Sequence, residues 1–291
     1  MKRIFTLILS SFCIATLSFG QAPVVTGGQS FPINENSAVS TVVGTVVASN
    51  SPTSWAITVN TTNNAFAISA AGQLTVINTT DLDREAASSL SITVTATNGS
   101  GTSPGVSVTI NLNDVNDVTP VVTAAQSFNI NENLANSSVV GTVLATDGDV
   151  TSTTFSNWTL TSNPGGAFAI NSSTGQLTVA TSSYLDREAR SNVVVAVTVS
   201  DGTNTSAAQN VTINLNDLND VTPVVTAAQS FNINENLTNG SVVGTVLATD
   251  GDVTATTFSN WTLTSNPGSA FAINSSTGEL TVATSSYLDR E

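Results

Sequence analysis

Twenty of the 291 residues are Asp or Glu, and they recur in sets rather than scatter. A single glutamate, Glu35, returns as Glu132 and Glu235, each inside an Asn-Glu-Asn triplet. The string Leu-Asp-Arg-Glu supplies Asp83 with Glu85, Asp186 with Glu188, and Asp289 with Glu291. Asp114 and Asp117 belong to Asp114-Val115-Asn116-Asp117-Val118-Thr119-Pro120, and Asp217 and Asp220 to its copy, Asp217-Leu218-Asn219-Asp220-Val221-Thr222-Pro223. Asp-Gly-Asp supplies Asp147 with Asp149 and Asp250 with Asp252, and Asp201 stands alone. Only Asp81 and Glu279 fall outside these sets. Acids placed for solubility would spread over the surface. Carboxylates and amides crowded at a junction are hard oxygen donors, and calcium takes about six to eight of them.

Composition narrows the chemistry further. The formal charge is −14, and losing Lys2 and Arg3 with a leader takes it to −16. Such a chain repels nucleic acid and anionic lipid and favours a cation. Histidine is absent and the one cysteine is Cys13, so neither a disulfide framework nor a thiolate metal site is on offer. Residues 1–20 read as a secretory signal: Lys2 and Arg3, an apolar run from Ile4 to Phe19, and small residues at Ser18 and Gly20. The run is shorter than the roughly 20 residues that span a bilayer. No other stretch is apolar enough to cross one. A secreted chain of small domains without disulfides needs another staple, and metal is a common one.

The elements that must position the acids read as strands. Phe31-Pro32-Ile33-Asn34-Glu35-Asn36 returns at Phe128 and at Phe231, and the glutamates stand 97 and 103 residues apart. Residues 118–188 and 221–291 differ at five positions. A period near 100 is a whole small domain, larger than a solenoid unit. This sets the boundaries: a leader at 1–20, repeats at 21–117 and 118–220, and an incomplete repeat at 221–291. Within the second repeat, Ser138 to Ala145 reads as a strand. Ala167–Ile170 and Gln176–Val179 flank a turn ending in Gly175, and Val193–Val199 and Val211–Leu215 alternate. About seven short strands per repeat predict tandem β-sandwiches of all-β class. Trp55, Trp158 and Trp261 occur once per repeat and are expected to anchor cores. Each proline of the junction motif suits a strand edge or a first strand position.

The Asn-Glu-Asn, Leu-Asp-Arg-Glu, Asp-x-Asn-Asp-x-x-Pro and Asp-Gly-Asp motifs, in this order and repeated, resemble cadherin repeats over residues 22–291. That resemblance implies Greek-key sandwiches with about three calcium ions at each junction. It implies a first ligand set of Glu35, Asp83, Glu85, Asp114, Asn116 and Asp117 with Asp147, Asp149 and Asp201. The second set is Glu132, Asp186, Glu188, Asp217, Asn219 and Asp220 with Asp250 and Asp252. The first repeat acts as an internal control. No other repeat precedes it, and it carries Asn50 and Pro52 at the places of Asp147 and Asp149, and Asn98 at that of Asp201. Affinity of about 10⁻⁴ to 10⁻³ M would suit an extracellular module. Val118 and Val221 depart from the family's usual asparagine, and no tryptophan stands near Gln21 for strand exchange.

The implied function is calcium-stiffened cell adhesion outside the cell, with a second copy or another cell-surface protein as partner. The alternative is a passive calcium-stiffened stalk presenting another domain of a longer protein. A glycosidase pair at Asp83 and Glu85 would need one site, yet the pair recurs in every repeat. A carbohydrate platform needs exposed aromatics, which make up 5% of the chain. The close likeness of the second and third repeats and the plain leader suggest a bacterial surface protein. The chain stops inside the third Leu-Asp-Arg-Glu, which suggests a piece of a longer array with an open sheet edge in its last repeat.

Overall fold

Val and Ile alternate with Thr and Ser along much of this chain, and a strand turns that alternation into one apolar and one polar face. The computed structural model describes residues 20–150, 154–254 and 257–289. The expected leader falls on residues 1–20, of which all but Gly20 lie outside the described residues. Among the described residues the chain is all-β, apart from single 3-10 turns at Pro164–Gly166, Ser182–Tyr184, Pro267–Ser269 and Ser285–Tyr287. Its strands form tandem Greek-key sandwiches, the last of them truncated. Two units divide the chain: the described residues of Met1–Val118 with Gly148–Thr153, and those of Thr119–Asp147 with Thr154–Glu291.

In the first unit the strands are β1 (Ser30–Asn34), β2 (Val42–Thr45), β3 (Ser54–Val59), β4 (Phe66–Ile68), β5 (Gln73–Val76), β6 (Ser89–Asn98), β7 (Gly101–Thr102) and β8 (Val106–Asn113). One sheet runs β1-β8-β6-β3 with β7 on β6, and the other runs β2-β5-β4. β1 lies parallel to β8, Asn34 opposite Asn113. Pro32 sits in this edge strand, where its missing N–H breaks no interior rung. Alternate residues of β6 and β8, among them Ile92, Val94, Ala96, Val108, Ile110 and Leu112, point into one core with Phe66, Leu74 and Val76. Burying each large side chain contributes about 1.5–3 kcal/mol.

The second unit begins with β9 (Val121–Val122), β10 (Ser127–Asn131), β11 (Val139–Thr142), β12 (Ala145–Thr146), β13 (Ser156–Ser162), β14 (Phe168–Ile170), β15 (Gln176–Val179), β16 (Asn192–Ser200) and β17 (Gln209–Asn216). They pair as β10-β17-β16-β13, β11-β15-β14 and β12-β9, with β10 again parallel to β17. Pro120 immediately precedes β9, the position its missing donor suits. Then come β18 (Val224–Val225), β19 (Val242–Thr245), β20 (Ala248–Thr249), β21 (Phe271–Ile273) and β22 (Glu279–Val282), paired among the described residues as β18-β20 and β19-β22-β21.

The strand expected over Ser138 to Ala145 is two strands in two sheets. β11 pairs with β15 and slips register between Val139 and Gly141, and β12 pairs with β9. Gly141 lies under the ring of Phe128, where a Cβ would collide with it. Between the two strands the Gln126 side chain replaces a strand partner. Its amide donates to the Thr123 and Leu144 carbonyls, and its oxygen accepts the Leu144 N–H. Gln29 and Gln229 repeat the device. The turn before β15 ends, as expected, in a left-handed glycine, Gly175, at φ 71°. A Cβ there would stand 2.9 Å from the Trp158 ring. Trp158 is 5% exposed, with Phe155 edge-on at 6.2 Å. Trp55 is only half-buried.

Candidate metal centre

The path of β1 places Glu35. Its N–H continues the parallel ladder to the Asn113 carbonyl at 3.1 Å, which brings the side chain inward at the sandwich end, 2% exposed. A carboxylate buried this deeply needs donors. One oxygen accepts the Arg84 N–H at 2.5 Å and the other the Val115 N–H at 2.7 Å. One side chain thus pins the Leu-Asp-Arg-Glu loop and the junction segment together. Leu82, 1% exposed, roots that loop in the core, and Asp83 closes its turn by accepting the Ala86 N–H at 2.9 Å. Asn36 adopts φ 54° and its N–H donates to the Leu82 carbonyl at 3.0 Å. Its side-chain amide donates to the Asp117 carboxylate.

The result is a knot of carboxylates. Oxygens of Glu35, Glu85 and Asp114 lie within 4.8 Å of one another, and so do oxygens of Glu85, Asp117 and Asp149. An ion with ligands at about 2.3–2.6 Å spans about 5 Å from one ligand to the opposite one. These triples therefore fit around hard cations, and their donors are oxygen throughout, as calcium requires. Asp149, 5% exposed, accepts the Val118 N–H at 3.1 Å, and Asp114 accepts the Val150 N–H at 3.2 Å. Asn116 is half-buried between Asp114 and Asp117. A cleft of about 410 Å³ is lined by Glu35, Asn36, Asp83, Glu85 and Asp117. Loss of water, then the charges of Glu35 and Asp149, pushes the Glu85 carboxyl up to about 7.

The second unit repeats this arrangement with its own residues. Glu132, 1% exposed, accepts the Arg187 N–H at 2.6 Å and the Leu218 N–H at 2.7 Å. Asn133, also at φ 54°, donates its side-chain amide to Asp220. Oxygens of Glu132, Asp186 and Glu188 cluster within 4.8 Å, as do those of Glu188, Asp220 and Asp252. Asp217 accepts the Thr254 hydroxyl at 2.6 Å and its N–H at 2.9 Å, and the hydroxyl first of all holds its carboxyl low. Loss of water, then the charge of Glu132, pushes Glu188 up, and loss of water, then Asp250, pushes Asp252 up. Asp250 accepts the Asp252 N–H at 3.2 Å, and Asn219 is exposed.

Asp147 and Asp201 also lie in the second unit, with carboxylate oxygens within 4.8 Å of each other. Asp201 in addition accepts the Thr203 and Asn204 N–H groups, at 2.6 and 2.7 Å, and so shapes its own turn. In the first repeat the matching amides bind backbone. Asn98 donates to the Gln21 and Asn50 carbonyls and Asn50 to that of Ala22, each at 2.8 Å. Sequence reasoning missed the amides of Asn36 and Asn133 and the hydroxyl of Thr254. The recurrence of the second Asn in Asn-Glu-Asn was the available signal for the amides. Thr254 carries none.

Residues 126–216 match the family model described as Cadherin domain. The chain is 31% identical over 224 residues, 76% of its length, to Protocadherin Fat 4 of Homo sapiens, and spans 4% of that protein. It is 34% identical over 151 residues, 50% of its length, to the Cadherin EGF LAG seven-pass G-type receptor fmi-1 of Caenorhabditis elegans, spanning 6% of it. Among solved structures, mouse Cadherin-23 EC22-24 superposes with a TM-score of 0.56 at 25% identity, over 91% of this chain and 90% of that one. The human Desmocollin-1 ectodomain superposes with a TM-score of 0.60 at 22% identity, over 89% and 53%. These relatives are animal proteins and lend the expected bacterial source no support.

Proposed function

We propose that this chain is a run of cadherin repeats from an extracellular adhesion protein, with calcium ions holding its junctions. The observation that carries the reading is the buried glutamate. In two separate copies it ties a loop to a junction segment, and in both it belongs to a triple of acids whose oxygens lie within 4.8 Å of one another. The repeats span residues 21–117, 118–220 and 221–291, after a cleaved leader at 1–20. Among the described residues, no helix is long and apolar enough to cross a membrane.

In the first unit Glu35, Asp83, Glu85, Asp114, Asn116, Asp117 and Asp149 supply oxygen donors. In the second, Glu132, Asp186, Glu188, Asp217, Asn219, Asp220, Asp250 and Asp252 do so, and Asp147 and Asp201 are further ligands. Calcium bound there offsets the carboxylate charge and crosslinks the segments that carry it. The protein's part is to hold like charges together beforehand. A pair about 4 Å apart costs about 1 kcal/mol in water and more where water is displaced. The backbone N–H groups aimed at Glu35, Glu132, Asp149 and Asp252 offset part of that cost. Adhesion is supported by the likeness to Protocadherin Fat 4 and the cadherin receptors.

Thermal unfolding of the full chain, with calcium titrated from chelator excess to millimolar, tests the reading. The midpoint rises with calcium, and Asp117→Ala combined with Asp220→Ala removes most of the rise. A flat midpoint in the parent chain overturns the metal assignment and leaves the fold alone standing.

A further inference from the structure

The two asparagines of each Asn-Glu-Asn triplet do different work. The first ties strands: Asn34 accepts the Asn113 amide at 3.0 Å and Asn131 that of Asn216 at 3.1 Å. The second turns back toward the acids. Asn36 and Asn133 both hold φ 54°, a left-handed conformation that asparagine tolerates better than other residues with a Cβ. Their backbone N–H groups reach the Leu82 and Leu185 carbonyls at 3.0 and 2.9 Å. From that position the side-chain amides donate to Asp117 and Asp220, which lie 81 and 87 residues away in sequence. Both aspartates belong to the acid triples, with Glu85 and Asp149 in one unit and Glu188 and Asp252 in the other.

The residue type matters. A lysine or arginine reaching the same carboxylate would form an ion pair and compete with any cation the triple could hold. A neutral amide orients the carboxylate and leaves the charge of the cluster in place. The third repeat separates the backbone role from the side-chain role. Asn236 keeps the left-handed conformation at φ 65°, although this sequence contains no junction aspartate for it to meet. The turn is thus local, whereas the amide contact belongs to the assembled junction.

We propose that Asn36 and Asn133 are positioning residues of the metal centres: each fixes the rotation of a junction aspartate by a neutral hydrogen bond. This rests on the calcium reading above. The test compares the full chain with the double variant Asn36→Gly, Asn133→Gly, because glycine keeps the left-handed backbone and removes only the amide. Calorimetric titration with calcium chloride shows affinity about fivefold weaker in the double variant, the scale of one ordinary hydrogen bond. The thermal midpoint of the double variant falls further below the parent in calcium than it does in chelator, an excess that a merely structural asparagine would not give. Asn236→Gly leaves calcium affinity unchanged. In chelator, side-chain amide protons of Asn36 exchange more slowly than those of Asn236, and Asp117→Ala erases the difference. Calcium bound equally by the parent and the double variant overturns the positioning role alone. A parent chain that takes up no calcium overturns the metal reading beneath it, and the amide exchange in chelator still shows whether the contact exists.

Discussion

Residues 118–188 and 221–291 differ at only five positions, yet they do not build the same structure. Glu132 is 1% exposed, whereas Glu235 is exposed. Val122 is 2% exposed and its counterpart Val225 is 56% exposed. Trp158 is buried and Trp261 half-buried, although both keep the edge-on phenylalanine. Residues 127–131 form β10, and the same string at 230–234 forms no strand. The two copies differ in the partners available to them. The second copy is continued by β16 and β17, which pair with β13 and β10 and cover the core, and by the Asp217–Asp220 segment that meets Glu132. Among the described residues the third copy shows the β19-β22-β21 and β18-β20 pairs, and no strand pairs with residues 230–234. A strand is made by its partners, and identical residues without partners remain irregular.

The sharpest way to break this comparison is to truncate the same core side chain in both copies. Leu177, 0% exposed, loses about 3 kcal/mol on replacement by Ala. The half-buried Leu280 loses about 1 kcal/mol. Hydrogen exchange of the β15 and β22 amides resolves the two losses, and equal losses would mean that the third copy is as fully packed as the second.

Removing the glutamate is the next largest test. Glu132→Ala strands the Arg187 and Leu218 N–H groups and costs about 2 kcal/mol in urea unfolding. Glu235→Ala stays within about 0.5 kcal/mol, as for an exposed position. A matching pair of losses would show that Glu235 already holds a loop, against its exposure.

Titration gives the smallest effect. Glu85 is pushed from its ordinary 4.5 up to about 7, so without metal the folded state holds a proton that the unfolded chain releases. The stability from that proton is fully present below about 4.5 and lost as pH rises through about 7. In chelator the thermal midpoint therefore falls from pH 5 to pH 8, and Glu85→Gln flattens the fall. Calcium reverses the slope, because the ion takes the ionised carboxylate. A chelator profile with no slope between those limits would mean that the crowded acids do not share a proton.

Most of the outline was legible before the structure. The recurring acids, the period near 100 and the alternation of Val193–Val199 and Val211–Leu215 are local or periodic signals, and a strand converts them directly into buried and exposed faces. Other features were not legible, because they depend on groups far apart in the chain. Glu35 meets N–H groups 49 and 80 residues away, and no motif states that it is a buried staple. Asn36 looks like a turn residue until Asp117 arrives beside it. The run Ser138 to Ala145 looks like one strand, and only the ring of Phe128 over Gly141 and the side chain of Gln126 break it in two. By itself, then, the sequence determined which residues are donors, which faces are apolar and how often the pattern returns, since side-chain chemistry and strand period are local properties. The tertiary structure alone decided which carboxylates share a site and which copy of a repeated sequence buries its core side chains. Both depend on strand partners and backbone donors brought in from elsewhere in the chain.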